Sequence, residues 1–151
     1  KVRLLYTGGH ADNPEFFELL QQNDAHVVSD NTGFGTRAAD VLIREDGDPL
    51  EAIIDYYFEE KPAATRQMGT QVERMERLLD LVKQYKADGV VASRLYMCDL
   101  WAFEHFLMRK RLHENNVPFL ELEVDYTPEG QGQIKTRVQA FVESLADRQT
   151  A

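Results

Sequence analysis

The stretch that decides the fold is DGVVASRLYMCDLWAFEHF, residues 88–106. Residues 88–95 form a nearly continuous apolar run, which is typical of a strand buried on both faces of a sheet. Large apolar residues then recur over residues 99–114 at the three-to-four-residue spacing of a helix. A buried strand that leads into a helix is the repeating unit of α/β proteins. The junction holds Cys98, the only cysteine of the chain.

Three further apolar runs predict strands at residues 2–8, 25–30 and 118–125. The first two are also nearly continuous in apolar character, whereas the run 118–125 alternates leucine and valine with glutamate. An alternating strand has one buried face and one open face. We therefore expect the fourth strand at an edge of the sheet, or with a face that a missing partner covers.

Helices are predicted between the strands and after the last one. Asn13-Pro14 starts one, because asparagine is a common N-cap and proline fits the first helical position. The others are expected over residues 37–44, 49–59, 70–86, 99–114 and 131–146. Asp48-Pro49 is the start signal for the helix over residues 49–59. Apolar spacing predicts buried positions in the two longer central helices and a core or interface position for Trp101. These positions are Val72, Met75, Leu79 and Val82, then Phe103, Phe106, Leu107 and Leu112.

Alternating strands and helices predict a parallel sheet with right-handed crossovers. The predicted fold class is α/β: a small, doubly wound, flavodoxin-like sheet of about four strands with helices on both faces. We expect residues 1–151 to be a single domain. Because Lys1 runs straight into a strand, we also expect a piece of a longer protein. Ligands of such sheets bind outside the carboxyl ends of the strands.

Polar residues follow three of the predicted strands. Asp30 and Asn31 lie at the expected mouth of the sheet, and Arg37 ends the same loop, where its guanidinium suits an anionic ligand. Arg137 lies in the first turns of the last helix, and a helix start can hold an anion. The alternative for both arginines is a solvated surface position. The Gly8-Gly9 pair after the first strand predicts a tight turn, or the close approach of a ligand.

Cys98 is predicted at the start of a helix, where the helix dipole favours the thiolate form. Thiolate binds iron or zinc, or attacks carbon. Three interpretations remain open: a packed inert thiol, a nucleophile, or one ligand of a metal centre whose other ligands lie elsewhere. His105 is two helical turns away, about 10 Å, which is too far for a Cys–His pair. His10 follows the neighbouring strand and is the alternative base.

The net charge of −9, from 17 basic and 26 acidic residues, opposes binding to nucleic acid or to an anionic membrane surface. No apolar stretch approaches the roughly 20 residues that span a bilayer. A single cysteine cannot form an internal disulfide, which indicates a reducing compartment. We therefore expect a cytoplasmic protein.

Several separated elements together resemble the 2-hydroxyacyl-CoA dehydratase family. Residues 87–145 resemble its C-terminal part through the DGV strand, a cysteine followed by aspartate and aromatic residues, VPFLELEVDY, and GQ..TR.QAF. LLYTGG and VVSDNTGFGTR give a weaker match in the first half. The family includes the components of 2-hydroxyglutaryl-CoA dehydratase, whose D-component this chain resembles, and the subunits of benzoyl-CoA reductase.

The resemblance implies an iron–sulfur enzyme of oxygen-sensitive, related subunits. Cys98 matches a position that ligates a 4Fe-4S cluster in the intact parent, and the other ligands lie outside this chain. The implied partners are a missing N-terminal domain of the same subunit, a homologous sister subunit, an ATP-dependent activator and an acyl-CoA substrate. The dehydratases eliminate water from a 2-hydroxyacyl-CoA through a ketyl radical, whereas benzoyl-CoA reductase reduces an aromatic ring. The fragment itself is expected to be inactive and without cofactor.

The resemblance also suggests roles for the strand-end residues. Arg37 and Arg137 are candidates to hold an anionic group of an acyl-CoA. Thr32, Gly33 and Ala63 stand where many relatives carry further cysteines, so a complete cluster cannot form on this chain alone. The other strand-end residues are expected near the cluster or a subunit contact: Asp30, Asn31, Tyr96, Asp125 and Tyr126.

Two other functions compete with this interpretation. One is a stand-alone flavodoxin-like binding module, in which Cys98 is merely packed. The other is a cysteine-dependent hydrolase that uses Cys98 with His10.

Overall fold

A parallel sheet forms the centre of the molecule. The computed structural model describes residues 1–9, 13–22, 24–125 and 131–150. Within these ranges the sheet has four strands, in the order β2-β1-β3-β4. They are β1 (Val2–Gly8), β2 (Ala25–Asn31), β3 (Gly89–Leu95) and β4 (Phe119–Val124). The predicted α/β class and all four predicted strands are confirmed, and β4 lies at an edge, as its alternating sequence predicted.

The helices follow the strands closely. Asn13 Oδ1 accepts a hydrogen bond from the backbone N–H of Glu15 at 2.9 Å, and Asp48 Oδ1 accepts one from Leu50 at 2.7 Å, so both predicted N-caps are confirmed. No helix within the described ranges combines the length and apolar character that crossing a membrane requires. The helices are α1 (Pro14–Leu20), α2 (Thr36–Ala39), α3 (Pro49–Asp55) with a π-helical turn (Tyr56–Glu60), α4 (Gln71–Gln84), α5 (Asp99–Glu114) and α6 (Gln131–Thr150).

The two faces of the sheet bury separate cores, as a doubly wound fold requires. On β1, Leu4 and Tyr6 point to one face and Leu5 to the other, because side chains alternate along a strand. Helices α1 and α6 cover the first face, and α4 and α5 cover the second. The carboxyl ends of all four strands therefore share one edge of the domain, which is where ligands of such sheets bind.

The predicted helix over residues 37–44 is wrong in its extent, since α2 ends at Ala39. Leu42 is 85% exposed and Val41 is only half-buried. A short helix in water is stabilised chiefly by packing an apolar face. Residues 40–44 bury too little apolar surface to hold another turn.

The predicted buried stripe of α5 is confirmed at Leu112 and partly at Leu107, but it is wrong at Phe103 and Phe106. Phe103 and Phe106 are 64% and 58% exposed, and Val72 on α4 is 68% exposed. The sheet-facing side of α5 instead carries Glu104 and His105, followed by Met108 and Leu112. Glu104 and His105 occupy buried positions in place of the two phenylalanines because Glu104 pairs with Arg74 and His105 contacts the rings of Trp101 and Phe119. The spacing of apolar residues cannot predict such contacts.

Candidate functional site at the carboxyl ends of the strands

Cys98 is the N-cap residue of α5 and lies at the mouth of the sheet. A tight turn connects β3 to Cys98. In this turn the backbone N–H of Cys98 donates to Leu95 O at 3.1 Å, and Met97 adopts a positive φ of 62°. Its thiol is half-buried and makes no capping hydrogen bond. Tyr96 and Met97 beside it are 64% and 76% exposed. The predicted position of Cys98 is confirmed, and its thiol is available to a ligand.

The Gly8-Gly9 pair is contacted by the protein's own residues. A Cβ at Gly8, where φ is +141°, would lie 2.2 Å from Ser93 O, and a Cβ at Gly9 would lie 2.3 Å from Trp101 Nε1. The backbone N–H of Gly9 also donates to Ser93 O at 3.1 Å. Of the two interpretations of this pair, the tight turn therefore fits, because Ser93 and Trp101 occupy the space.

Asp30 organises the loop after β2. Its Oδ1 accepts hydrogen bonds from the Thr32 backbone N–H at 2.9 Å and from the Thr32 hydroxyl at 2.6 Å. The Thr36 backbone N–H donates to the same carboxylate at 3.3 Å. A Cβ at Gly35 would lie only 2.0 Å from Asp30 Oδ1. The Asp30 carboxylate thus shapes the loop and the start of α2.

Arg37 lies over this loop with its guanidinium half-buried. It forms no hydrogen bond or ion pair with any residue in the described part of the chain. Its Nη2 would lie 3.1 Å from a Cβ at Gly33. Burial lowers the pKa of Arg37, and the positive charges of Arg77 and Arg74 lower it further, against the opposing charge of Glu104.

Arg77 lies beside the same loop. Its Nη1 pairs with Asp40 Oδ2 at 2.7 Å, and its Nε donates to Asn31 Oδ1 at 3.4 Å. Its Nη2 is buried and has no hydrogen-bond partner among the described residues. Asn31 itself is buried, so the predicted strand-end residue helps to hold an arginine.

A buried ion pair joins α4 to α5, and the sequence interpretation missed it. Arg74 Nε donates to Glu104 Oε1 at 2.7 Å and Arg74 Nη2 to Glu104 Oε2 at 2.8 Å, in a bidentate arrangement. Arg74 Nη1 also donates to the carbonyls of Ala64 and Gln67, at 3.3 and 3.2 Å. The one signal in the sequence is an arginine within the apolar stripe of α4.

His105 lies two helical turns from Cys98, and its side chain is completely buried. Its ring contacts Trp101 and Phe119 edge-on. Nδ1 lies 3.4 Å from Glu121 Oε1, without the alignment of a hydrogen bond. Burial lowers the pKa of His105 and outweighs the opposing effect of Glu121.

The other predicted site residues are spread along the carboxyl edge. Tyr96 and Asp125 are exposed residues that follow β3 and β4. Arg137 Nη2 donates to the backbone carbonyl of Glu121 at 2.7 Å, so it lies against the β4 edge. Arg37 belongs to the opposite, β2 edge, and the structure does not bring the two arginines into one site. Tyr126 and His10 lie outside the described residues.

The described residues of this chain do not supply enough ligands for a complete iron–sulfur cluster. Within residues 1–9, 13–22, 24–125 and 131–150, no group of three histidine, cysteine or carboxylate residues could hold a metal ion. Cys98 can contribute one thiolate. The backbone N–H groups of residues 99–101 precede the first bond of α5, from Ala102 N to Cys98 O at 3.0 Å, and so have no partner within the helix. One corner of an iron–sulfur cluster therefore fits this helix start.

Comparison with known proteins shows the family. The family model described as 2-hydroxyglutaryl-CoA dehydratase, D-component, matches residues 1–145. The chain belongs to this family. The resemblance seen in the sequence is thereby confirmed for nearly the whole of this dehydratase-family chain.

Named relatives agree with the family. YjiM of Escherichia coli strain K12, named as a dehydratase subunit, is 29% identical over 150 residues, or 96% of this chain. The (R)-phenyllactyl-CoA dehydratase beta subunit of Clostridium sporogenes is 25% identical over 95% of the chain. The beta subunit of (R)-2-hydroxyglutaryl-CoA dehydratase of Acidaminococcus fermentans is 25% identical over 87%. The matches cover 38%, 38% and 36% of these relatives, so the chain spans well under half of their length.

Proposed function

We propose that this chain is the C-terminal domain of a 2-hydroxyacyl-CoA dehydratase subunit, and that Cys98 supplies one thiolate to a 4Fe-4S cluster. The observation that carries the proposal is the half-buried Cys98 thiol at the N-cap of α5, without a capping hydrogen bond. The remaining ligands belong to parts of the subunit beyond this chain, since the chain has one cysteine.

The helix start supports this role through simple electrostatics. The N–H groups of residues 99–101, which have no partner within the helix, and the helix dipole favour a negative charge beside them. A cluster sulfur or a thiolate accepts hydrogen bonds from such groups, and these hydrogen bonds tune its reduction potential. When bound, the cluster supplies one-electron transfer. The chain's own contribution is one ligand and a polar cap at the mouth of the sheet.

The reaction proposed for the whole enzyme is the elimination of water from a 2-hydroxyacyl-CoA, after activation by an electron from an ATP-hydrolysing protein. The support is the family and its relatives, two of which are named as CoA dehydratase beta subunits. A beta subunit has a sister subunit, so we include one as a partner, with a cytoplasmic location. Reduction of an aromatic acyl-CoA, as in benzoyl-CoA reductase, is the alternative reaction.

Exposed apolar residues next to Cys98 suit burial by the rest of the subunit. Met97, beside it on the turn, is 76% exposed, and Leu100 and Phe103 on α5 are 39% and 64% exposed. Large exposed apolar patches mark interaction surfaces. In this proposal Tyr96 and Asp125 lie at the same contact, close to the cluster.

The test is anaerobic iron and acid-labile sulfide analysis of the intact protein, together with its visible spectrum. We expect a brown protein with about four irons per subunit, and loss or weakening of the colour in Cys98→Ser. Lys110→Ser is the control, because Lys110 is exposed on α5 away from the start of the helix, and it should keep its iron.

A colourless protein would contradict the cluster assignment and favour the binding module. A brown Cys98→Ser protein with unchanged iron would place the cluster elsewhere. Rapid alkylation of Cys98 at neutral pH, with acyl transfer lost in Cys98→Ser, would favour the hydrolase.

A further inference from the structure

Helix α3 and its π-helical turn carry an apolar stripe that the described residues leave open to solvent. Its members recur at positions i, i+3, i+4, i+7 and i+8, which places them on one face of a helix. They are between 44% and 79% exposed: Leu50, Ile53, Ile54, Tyr57 and Phe58. We call this face the α3 stripe. Five large apolar side chains exposed side by side mark an interaction surface.

The same helix has a separate buried face that holds it on the domain. Ala52 and Tyr56 are buried, and the Tyr56 hydroxyl donates to the Ala38 carbonyl at 3.0 Å. Arg44 Nη2 pairs with Asp55 Oδ2 at 3.1 Å and ties the preceding loop to the helix. The helix is therefore anchored through one side, and the α3 stripe lies on the side that faces solvent.

Acidic residues surround the α3 stripe. Residues 44–61 contain seven acidic and two basic residues. Both basic side chains are engaged within the segment, since Arg44 forms the ion pair described above and the Lys61 ammonium lies 4.7 Å from the centre of the Tyr57 ring. Glu51 is exposed and forms no ion pair with any described residue. The α3 stripe is therefore an apolar surface with a negatively charged rim.

The negative rim decides what kind of surface can cover the α3 stripe. A second copy of the chain, packed through the same stripe, would bring two negative rims together, and like charges across an interface oppose binding. An anionic lipid surface is opposed for the same reason. The complementary surface is apolar at its centre and carries lysine or arginine at its edge.

We propose that the α3 stripe docks into an apolar groove, rimmed by lysine or arginine, on the sister subunit. A helix with apolar anchors at i, i+3, i+4 and i+7 is a common form in which one protein occupies the groove of another. The helix is anchored to α2, which follows β2, whereas Cys98 follows β3, and β1 lies between these strands. The α3 stripe is thus a second surface, distinct from the residues next to Cys98.

The uncompensated charge favours a partner on a separate chain. Complementary charges speed the encounter of two separate proteins, whereas a covalently attached domain is already held at a high local concentration. The existence of a sister subunit rests on the proposed function, but the apolar stripe and its negative rim do not.

Association of the intact subunit with the separately purified sister subunit, measured by biolayer interferometry, tests the docking surface. Phe58→Ser should weaken the affinity at least about tenfold, because truncation of an aromatic anchor removes much of the binding energy. Phe106→Ser is the matched control, since it makes the same change at an exposed position on α5, and should alter the affinity less than about twofold. The free Phe58→Ser subunit should melt at the wild-type temperature, because Phe58 is 79% exposed.

The negative rim is tested through the association rate. Glu51→Lys should slow association at least about threefold at 0.01 M salt and lose this effect at 1 M salt, because the Debye length falls from about 30 Å to about 3 Å. Glu15→Lys is the matched control, because Glu15 also lies in the first turn of a short helix, and should leave the rate within about twofold.

A weaker complex with Phe58→Ser and slower association with Glu51→Lys would support the docking surface. Equal affinities of Phe58→Ser and Phe106→Ser, or equal rates for Glu51→Lys and Glu15→Lys, would overturn it. Self-association of the free subunit that Phe58→Ser abolishes would assign the α3 stripe to a second copy instead. A lower melting temperature of the free intact Phe58→Ser subunit would assign it to the rest of the same subunit, which also overturns the proposal.

Iron content separates this proposal from the proposed function. Cys98→Ser should bind the sister subunit as the wild type does, and Phe58→Ser should keep its iron. An iron-containing subunit that binds no sister subunit would overturn the docking surface alone. A colourless complex joined through the α3 stripe would contradict the cluster alone.

Discussion

At the scale of single residues, His105 shows how a titratable group can be held neutral inside the domain. Its ring is fully buried between Trp101 and Phe119, and neither ring nitrogen has an aligned hydrogen bond to a described residue. Glu121, 3.4 Å from Nδ1, also pairs with Arg94 and Arg109. Because Glu121 already has these cations, it does not overcome the cost of charging the buried imidazole.

The lowered pKa of His105 predicts a loss of stability in mild acid. Below the unfolded-state value of about 6.5, the unfolded chain takes up a proton that the folded chain does not, so the free energy of unfolding falls as pH decreases from 7 toward the folded pKa. The slope should approach about 1.4 kcal/mol per pH unit, measured by urea denaturation between pH 8 and 5.

His105→Phe should reduce this slope, since it removes the titrating group and keeps a ring between Trp101 and Phe119. His113→Phe is the control at an exposed position on the same helix, and should keep the wild-type slope. Equal slopes in the wild type and His105→Phe would show that another group governs acid stability.

Glu121 adds a further loss of stability at lower pH. Burial alone would raise the pKa of Glu121, but contacts with Arg109 and His105 hold it below its usual value.

At the scale of elements, two ion pairs join α4 to α5 at different depths. Arg74 and Glu104 have side chains only 9% and 3% exposed, whereas Arg111 and Glu76 are 40% and 48% exposed. Removing one partner of a buried pair leaves an uncompensated charge, but an exposed charge is solvated by water. The first pair therefore fixes the packing of the two helices, and the second contributes little.

Glu104→Gln should lower the free energy of unfolding by about 3 kcal/mol. Glu76→Gln is its matched control, because it makes the same substitution in the exposed pair between the same helices, and should cost less than about 1 kcal/mol. Urea denaturation of both variants at pH 7 measures the difference. Similar losses in the two variants would contradict a special role for the buried pair.

At the scale of the whole molecule, stability should be highest at the centre of the sheet. β1 and β3 each have a strand on both sides, whereas β2 and β4 are edges, and residues 40–60 expose several large apolar side chains. Native-state hydrogen exchange should therefore be slowest in β1 and β3 and fastest over residues 40–60. Equal protection of residues 40–60 and β3 would show that this segment belongs to the cooperative core.

Local patterns predicted much of this molecule. The four strands, the caps at Asn13 and Asp48, and the place of Cys98 at a helix start depend on residues close together in the chain. The Arg74–Glu104 pair did not emerge in this way, because its members are 30 residues apart. The prediction that Phe103 and Phe106 are buried failed for the same reason. Glu104 and His105 are buried instead, because their partners lie on other elements that are distant in the sequence.

The amino-acid sequence by itself determined a parallel α/β sheet, one of its two edge strands (β4) and a thiol at the mouth of that sheet, because apolar period and capping chemistry act over a few residues. Only the tertiary structure decided which charges are paired. It joined Arg74 to Glu104 and Arg77 to Asp40, and it left Arg37 half-buried without a described partner. The physical reason is that electrostatic pairing depends on distances through space, which are set when the helices pack on the sheet.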